Sequence, residues 1–224
     1  MNRLRFSPLA TERDLRLAIV ECGRIAYERH LLSSNDGNIS VRLGENVLIT
    51  PSGICKGRLE PEDLLVIDLD GRILKAQARR RLKVSSETPM HLEVYHQRPD
   101  VRAVLHAHPI FATALTIAGL PFPVDVLPEV LLTLGEVPVT EYSTPSSEED
   151  AAAVRNQVRD HDALLLCQHG SLTVGPDLDV ALNHLERIEH VAQAVFTARQ
   201  LGSVRTLPPE ALEKLKATRR KMFP

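Results

Sequence analysis

The sequence predicts a layered α/β domain, and two observations lead to this fold class. Several short segments are apolar or alternate apolar and polar residues, which is typical of β-strands. Longer segments with apolar residues at helical spacing lie before, between and after them. Such helices bury their apolar faces against a sheet. A chain of 224 residues is within the range of one large α/β domain, so we expect residues 1–224 to form a single domain.

The first predicted element is a helix within residues 10–32. Leu15, Ile19 and Cys22 recur at helical spacing, and Thr11 suits the position that caps a helix. The following "SSNDGN" is rich in turn-forming residues and ends this helix.

Two β-hairpins are predicted next. The segments "ISVRL" and "NVLIT" are separated by two residues, Gly44 and Glu45, and "LLVIDLDGRIL" folds back around Asp70 and Gly71. The basic segment "QARRRLK" at residues 77–83 is interpreted as a solvated loop in preference to an anion-binding one.

The rest of the chain alternates helices and buried strands. A helix is predicted from Ser86, with Pro89 in its first turns. "VRAVLHAH" and "DALLLCQHG" are predicted to be buried strands, the second ended by Gly170. A long amphipathic helix stops at Gly202, and "PPEALEKLKATRRKMF" forms a last basic helix.

Composition excludes several classes of function. The net charge is −2, aromatic residues make up 4% and tryptophan is absent, which argues against a nucleic-acid partner. No apolar run approaches the ~18 residues of a membrane span, and the first residues lack the apolar core of a signal peptide. The three cysteines form no C-x-x-C pair, so we expect a reducing, cytoplasmic environment.

Two histidines at the end of an apolar strand indicate chemistry. His106 and His108 are two residues apart, so their side chains share one face of the strand, and Pro109 ends it. Alone, this pair is more often structural than metal-binding. His169 also follows an apolar strand, and three histidines with an open fourth position describe a catalytic zinc site.

The chain resembles the class II aldolase/adducin family. Five motifs occur in the family's order between about residue 10 and residue 200, namely "GNISVR", "LITPSG", "SSE", "HAHP" and "QHG". The resemblance implies a three-layer α/β/α fold with a mixed, mostly antiparallel central sheet flanked by helices. It also implies a fourfold homotetramer with active sites between neighbouring subunits.

The resemblance also implies roles for individual residues. His106, His108 and His169 match the family's zinc ligands, and Glu87 matches a catalytic carboxylate that can also ligate zinc when substrate is absent. The positions that match residues holding a substrate phosphate are Gly37, Asn38, Ser52, Gly53, Ser85 and Ser86. Asp36 beside this loop is interpreted as capping a turn, and Lys56 with Arg58 as a solvated pair.

The expected activity is that of a zinc-dependent aldolase. It would cleave a ketose 1-phosphate reversibly to dihydroxyacetone phosphate and an aldehyde, through a metal-stabilised enediolate. Glu87 would move the proton at the adjacent carbon. Mn²⁺, Co²⁺ or Fe²⁺ would also suit histidine ligands.

One half of the expected site departs from the family pattern. The family's L-fuculose-1-phosphate aldolases have a tyrosine where this chain has Leu127. Glu129 lies nearby, an arrangement similar to the family's methylthioribulose-phosphate dehydratase branch. We interpret Glu129 as a catalytic group for the aldehyde side, reaching the site from a neighbouring subunit; a surface helix residue is an equal alternative.

Two other functions stay open at this point. The same metal site suits a sugar-phosphate dehydratase, epimerase or decarboxylase. A non-catalytic interaction protein, like the adducin heads of this family, is the alternative of another class. Those heads lack the metal ligands that this chain keeps, so the sequence favours an enzyme.

Overall fold

Seven strands form one sheet in the computed structural model, which describes residues 4–5, 7, 10–76 and 82–222. Neighbouring strands pair antiparallel throughout, in the order β4-β3-β2-β1-β5-β7-β6. The strands are β1 Asn38–Leu43, β2 Asn46–Ile49, β3 Leu65–Ile67, β4 Ile73–Lys75, β5 Ala103–Ala107, β6 Ala163–Leu166 and β7 Gly170–Gly175.

Helices surround the sheet on both sides. Their bounds are α1 Glu12–Glu28, α2 Thr88–Gln97, α3 Ile110–Ile117, α4 Pro128–Thr133, α5 Glu148–Val158, α6 Leu178–Leu201 and α7 Pro209–Met222. Short 3-10 turns at Lys56–Arg58 and Pro61–Asp63 join β2 to β3.

The two faces of the sheet bury different helices. Ile39 and Leu105 pack with residues of α1 and α6 on one face. Val104 packs with residues of α2 and α5 on the other, because successive strand residues point to opposite sides. α3 and α4 pack beside α6. These layers confirm the predicted α/β/α fold.

Local signals predicted several elements correctly. Both hairpins are present, Thr11 caps α1 with a reciprocal bond to Asp14, and Gly202 ends α6. A capping side chain satisfies backbone N–H groups that the first helical turn leaves free, and this requires no distant residue.

Two predicted boundaries were wrong. The helix expected from Ser86 begins at Thr88, because residues 85–88 form a turn in which the Thr88 N–H donates to the Ser85 carbonyl oxygen. Gly170 does not end a strand but opens β7, which pairs with β6 as a hairpin. The helices α3, α4 and α5 were not predicted.

Two further features considered from the sequence are the basic loop and a membrane-spanning helix. Residues 77–81 of the basic loop lie outside the described part of the chain. No helix among the described residues is both long and apolar enough to cross a membrane.

Candidate metal centre

Three histidines and one glutamate converge at one margin of the sheet. Ligand atoms of Glu87, His106, His108 and His169 all lie within 4.8 Å of one another. We call these four residues the histidine–glutamate cluster. They come from β5 and the residue after it, the β6–β7 turn, and the turn before α2, so the tertiary fold assembles them from three places.

The distances suit a shared cation. His106 Nε2 lies 2.9 Å from His108 Nε2, and Glu87 Oε1 lies 3.4 Å from His106 Nε2 and 3.0 Å from His169 Nε2. The three imidazole rings are 4.7–4.9 Å apart between centroids. Three nitrogens and one carboxylate oxygen form a donor set that a divalent metal ion prefers.

His106 is oriented by the neighbouring strand. The residue is fully buried in β5, and its Nδ1 lies 3.0 Å from the Ser171 carbonyl oxygen of β7. Since a carbonyl oxygen only accepts, Nδ1 must carry the proton. The lone pair on Nε2 therefore faces the cluster, the arrangement that a metal-ligating histidine requires.

His108 and His169 complete the histidine set. Burial, with the neighbouring imidazoles of His106 and His169, lowers the pKa of His108 to about 3, so its ring is neutral at pH 7. His169 follows Gln168, which has a positive φ of 54° in the tight β6–β7 turn. A side chain at Gly170 would collide with the Ala107 backbone, so glycine is needed for this turn to approach β5.

Glu87 is an ionised carboxylate inside the cluster. Burial by itself raises the pKa of Glu87, but its close contacts with the His106 and His169 imidazoles outweigh burial and hold the pKa well below its usual range. Its second oxygen, Oε2, accepts a hydrogen bond of 2.6 Å from Asn38 Nδ2. Glu87 is therefore charged and fixed at both oxygens at neutral pH.

Among the residues matched to a phosphate site, Asn38 opens β1, and the others lie in the loops before β1, after β2 and before α2. Ser85 Oγ is 3.3 Å from Asn38 Nδ2, and exposed Ser86 receives a hydrogen bond of 2.8 Å from Ser146 Oγ. Ser52 and Gly53 form an exposed turn whose Ser52 N–H donates to the Lys83 carbonyl oxygen.

Gly37 has a structural requirement of its own. Its φ is 71°, and a Cβ there would lie only 2.7 Å from the His106 carbonyl oxygen. Glycine at this position therefore lets the loop before β1 close onto β5, directly behind the cluster.

Leu127 and Glu129 are not part of the cluster within one chain. Leu127 is half-buried against the apolar residues around α3 and α6. Glu129 is exposed in the first turn of α4. Its contribution to a neighbouring subunit's site stays a prediction.

The interpretation of Lys56 as a solvated residue was wrong. Lys56 is 3% exposed, and its Nζ donates to the Asn35 carbonyl oxygen at 2.5 Å. Burial lowers its pKa, while the charges of Asp36 and Glu87 oppose that shift. A cation thus lies beneath the loop that carries Gly37, a position that no helical or strand periodicity indicated.

Comparison with known proteins agrees with this geometry. Residues 17–196 match the family described as Class II Aldolase and Adducin N-terminal domain. The 3-oxo-tetronate 4-phosphate decarboxylase of Haemophilus influenzae is 34% identical over 184 residues, covering 80% of this chain and 85% of that protein.

Two further proteins are similar along most of their length. The 5-methylthioribulose-1-phosphate/5-deoxyribulose-1-phosphate aldolase of Rhodospirillum rubrum is 29% identical over 201 residues, covering 90% of this chain and 89% of that protein. The crystal structure of L-fuculose-1-phosphate aldolase from Thermus thermophilus has a TM-score of 0.76 and 35% identity, covering 88% of this chain and all of that one.

A three-layer α/β/α fold with three histidines and a carboxylate at the sheet margin defines an enzyme with a candidate metal centre. The chain belongs to the class II aldolase and adducin family, and it is a lyase.

Proposed function

We propose that this protein is a zinc-dependent aldolase that reversibly cleaves a ketose 1-phosphate to dihydroxyacetone phosphate and an aldehyde. The convergence of Glu87 with His106, His108 and His169 within 4.8 Å carries the proposal. Mn²⁺, Co²⁺ and Fe²⁺ are alternatives to zinc, because all accept imidazole ligands. The whole chain is proposed to act as one domain.

The four residues of the cluster would hold the metal ion. A cation bound there would supply Lewis-acid stabilisation of the negative charge that develops on the substrate. Glu87 is ionised and lies beside the histidines, so it is placed to accept a proton from the carbon next to the substrate carbonyl. Glu87 would ligate the metal when substrate is absent and act as the base when substrate is bound.

The phosphate would lie between the turns that carry Asn38, Gly53 and Ser86. Backbone N–H groups before α2 and the hydroxyls of the serine pair are suitable donors to an anion. Buried Lys56 adds one positive charge beneath the loop at Asn35. These groups support binding of a phosphorylated sugar.

Ser86→Ala should raise KM for the phosphorylated substrate by about tenfold or more, with a smaller effect on kcat. One hydrogen bond to a charged group contributes roughly 1.5–3 kcal/mol, and its loss from ground state and transition state alike changes mainly KM. Steady-state kinetics measures this. Ser146→Ala is the matched control, because it removes the partner hydroxyl and keeps Ser86. Unchanged binding of a phosphoglycolate analogue by Ser86→Ala would contradict the assignment.

The aldehyde side would be apolar. Leu127 stands where a tyrosine is expected and packs against an apolar core that includes Leu115 and Val191. An apolar surface favours small or deoxygenated aldehydes. The similar Rhodospirillum rubrum protein is named for a 5-deoxy ketose phosphate, which supports this substrate class.

A homotetramer with active sites between subunits is part of the proposal. Ile110, Ile117 and Phe196 leave apolar surface exposed on α3 and α6, which supports assembly. Glu129 of α4 would then reach the aldehyde side of a neighbouring subunit's site.

A decarboxylase is the second candidate, because the residue at position 127 carries no proton-transfer group. Loss of carbon dioxide from a 3-oxo acid phosphate leaves the same electron-rich carbon next to a carbonyl group, with carbon dioxide leaving in place of an aldehyde. Carbon dioxide needs no acid or base at its oxygens, so Leu127 is compatible with this chemistry. The Haemophilus influenzae relative is named for such a reaction.

One pair of assays separates the two candidates. The zinc-loaded protein, incubated with dihydroxyacetone phosphate and a panel of small aldehydes, is expected to form ketose 1-phosphates. The same preparation is tested for release of carbon dioxide from 3-oxo-tetronate 4-phosphate. If carbon dioxide is released and no aldehyde condenses, the decarboxylase hypothesis replaces the aldolase hypothesis.

A further inference from the structure

The α2-facing side of β1 is polar, yet it is buried. Asn38 and Ser40 are 1% and 0% exposed, whereas Ile39 and Val41 between and beyond them pack into the apolar core on the opposite face. Alternating polar and apolar residues usually indicate a strand with one face in water. Here the polar face lies against a helix, so its groups need partners inside the protein.

The partners lie along one stripe formed by α2 and Glu87, the residue that precedes it. Glu87, His91 and Tyr95 are four residues apart, so they lie on the same side of the helix. Four helical residues advance about 6 Å and two strand residues advance about 6.6 Å. The spacing of every fourth residue on α2 therefore nearly equals the spacing of every second residue on β1. As a result, side chains from the helix and the strand alternate along the contact.

The hydrogen bonds follow this alternation from Tyr95 to the cluster. Tyr95 Oη lies 2.8 Å from Ser40 Oγ, and Ser40 Oγ lies 2.7 Å from His91 Nδ1. His91 Nε2 is hydrogen-bonded to Asn38 Oδ1, and Asn38 Nδ2 lies 2.6 Å from Glu87 Oε2. His91 and Tyr95 are buried, like the strand residues they contact.

The direction of each bond follows from the Asn38 amide. Its Nδ2 only donates and faces Glu87 Oε2, and its Oδ1 only accepts and faces His91 Nε2. His91 must therefore carry its proton on Nε2. Burial lowers the pKa of His91 to about 3, so the ring is neutral and its Nδ1 accepts from Ser40. Tyr95 then donates to Ser40.

We propose that His91 is a positioning residue for Glu87, acting through Asn38. The His91 Nε2–H fixes the orientation of the Asn38 amide, which holds Glu87 Oε2 and leaves Oε1 directed at His106 and His169. The inference rests on the proposed function, since it says that His91 positions Glu87, the proposed metal ligand and base. It accounts for a fully buried histidine outside the cluster.

A merely structural network is the competing explanation. Loss of a buried polar partner lowers stability in both cases. Only the positioning role changes the environment of a metal ion at the cluster. The visible absorption of bound Co²⁺ reports that environment and does not depend on any reaction.

The test compares His91→Leu with His91→Gln. His91→Leu removes the donor to Asn38, and we expect zinc affinity to fall by about tenfold, with a shifted Co²⁺ spectrum; loss of outer partners typically costs 10–100-fold. His91→Gln keeps an N–H donor for Asn38 and should restore most of both. Should His91→Leu not fold, Asn38→Asp serves instead, because it places a second carboxylate beside Glu87 at nearly constant volume.

Glu93→Gln is the control on the same helix. It weakens the ion pair with Arg155 of α5, in which the N–O distance is 2.7 Å, and should lower stability without changing the Co²⁺ spectrum. Wild-type spectrum and zinc affinity in His91→Leu would overturn the positioning role. If the wild type forms no aldol product but His91→Leu still shifts the spectrum, the proposed reaction fails while the positioning role stands.

Discussion

His106→Ala and His169→Ala should each abolish zinc binding and enzymatic activity while the chain remains folded. His106 lies in β5 with its Nε2 directed into the cluster, and His169 lies 3.0 Å from Glu87 Oε1. Either substitution leaves two histidines and one carboxylate, and the geometry of a three-histidine site is lost. Elemental analysis after dialysis measures zinc, and circular dichroism measures folding.

The stability cost of these substitutions should be moderate. His106 is fully buried, so its truncation leaves a cavity and removes the hydrogen bond to the Ser171 carbonyl oxygen; we expect this bond's loss to cost about 1–3 kcal/mol. His96→Ala is the control, because His96 is exposed on α2 and outside the cluster. Full zinc occupancy in both His106→Ala and His169→Ala would refute the metal centre.

Glu87→Gln should stop exchange of deuterium from solvent into dihydroxyacetone phosphate. The exchange needs the metal ion, the phosphate site and a base, and the amide of glutamine is not a base. A general base typically contributes ~10²–10⁴-fold, so the exchange rate should fall by at least roughly a hundredfold. Proton NMR follows the exchange with saturating zinc, which separates loss of the base from weakened metal binding.

Glu129→Gln should give the opposite pattern. Exchange into dihydroxyacetone phosphate should stay intact, while carbon–carbon cleavage slows by at least roughly a hundredfold, because Glu129 would act on the aldehyde oxygen. Glu136→Gln is the matched control, since its side chain is 85% exposed. Normal cleavage by Glu129→Gln would show that Glu129 is a surface residue without a catalytic role. Normal exchange in Glu87→Gln would overturn the proposed mechanism.

Much of the fold was predictable because its signals are local. The hairpin turns, the cap at Thr11 and the end of α6 at Gly202 depend on residues within a few positions of each other. The helices α3 and α4 were missed. Both are short, and α3 is apolar over most of its length, so neither shows a clear helical stripe.

The candidate site was predicted by spacing and by resemblance to different extents. Two residues of separation place His106 and His108 on one face, as strand geometry requires. His169 was joined to this pair because it too follows an apolar segment, whereas only the resemblance joined Glu87 to them. The prediction for Lys56 was wrong, because nothing in "GICKGRL" indicates that its side chain is buried.

The sequence by itself determined the family, the strand ends that carry the histidines and the glycine-containing turns beside them. The tertiary structure decided which side chains meet. Pairing of β1 with β5 places Asn38 opposite His106, and packing of α2 on that face brings His91 between Asn38 and Ser40. The physical reason is that local propensity acts over a few residues, whereas burial of a polar strand face depends on partners about 50 positions away, whose hydrogen bonds replace those of water.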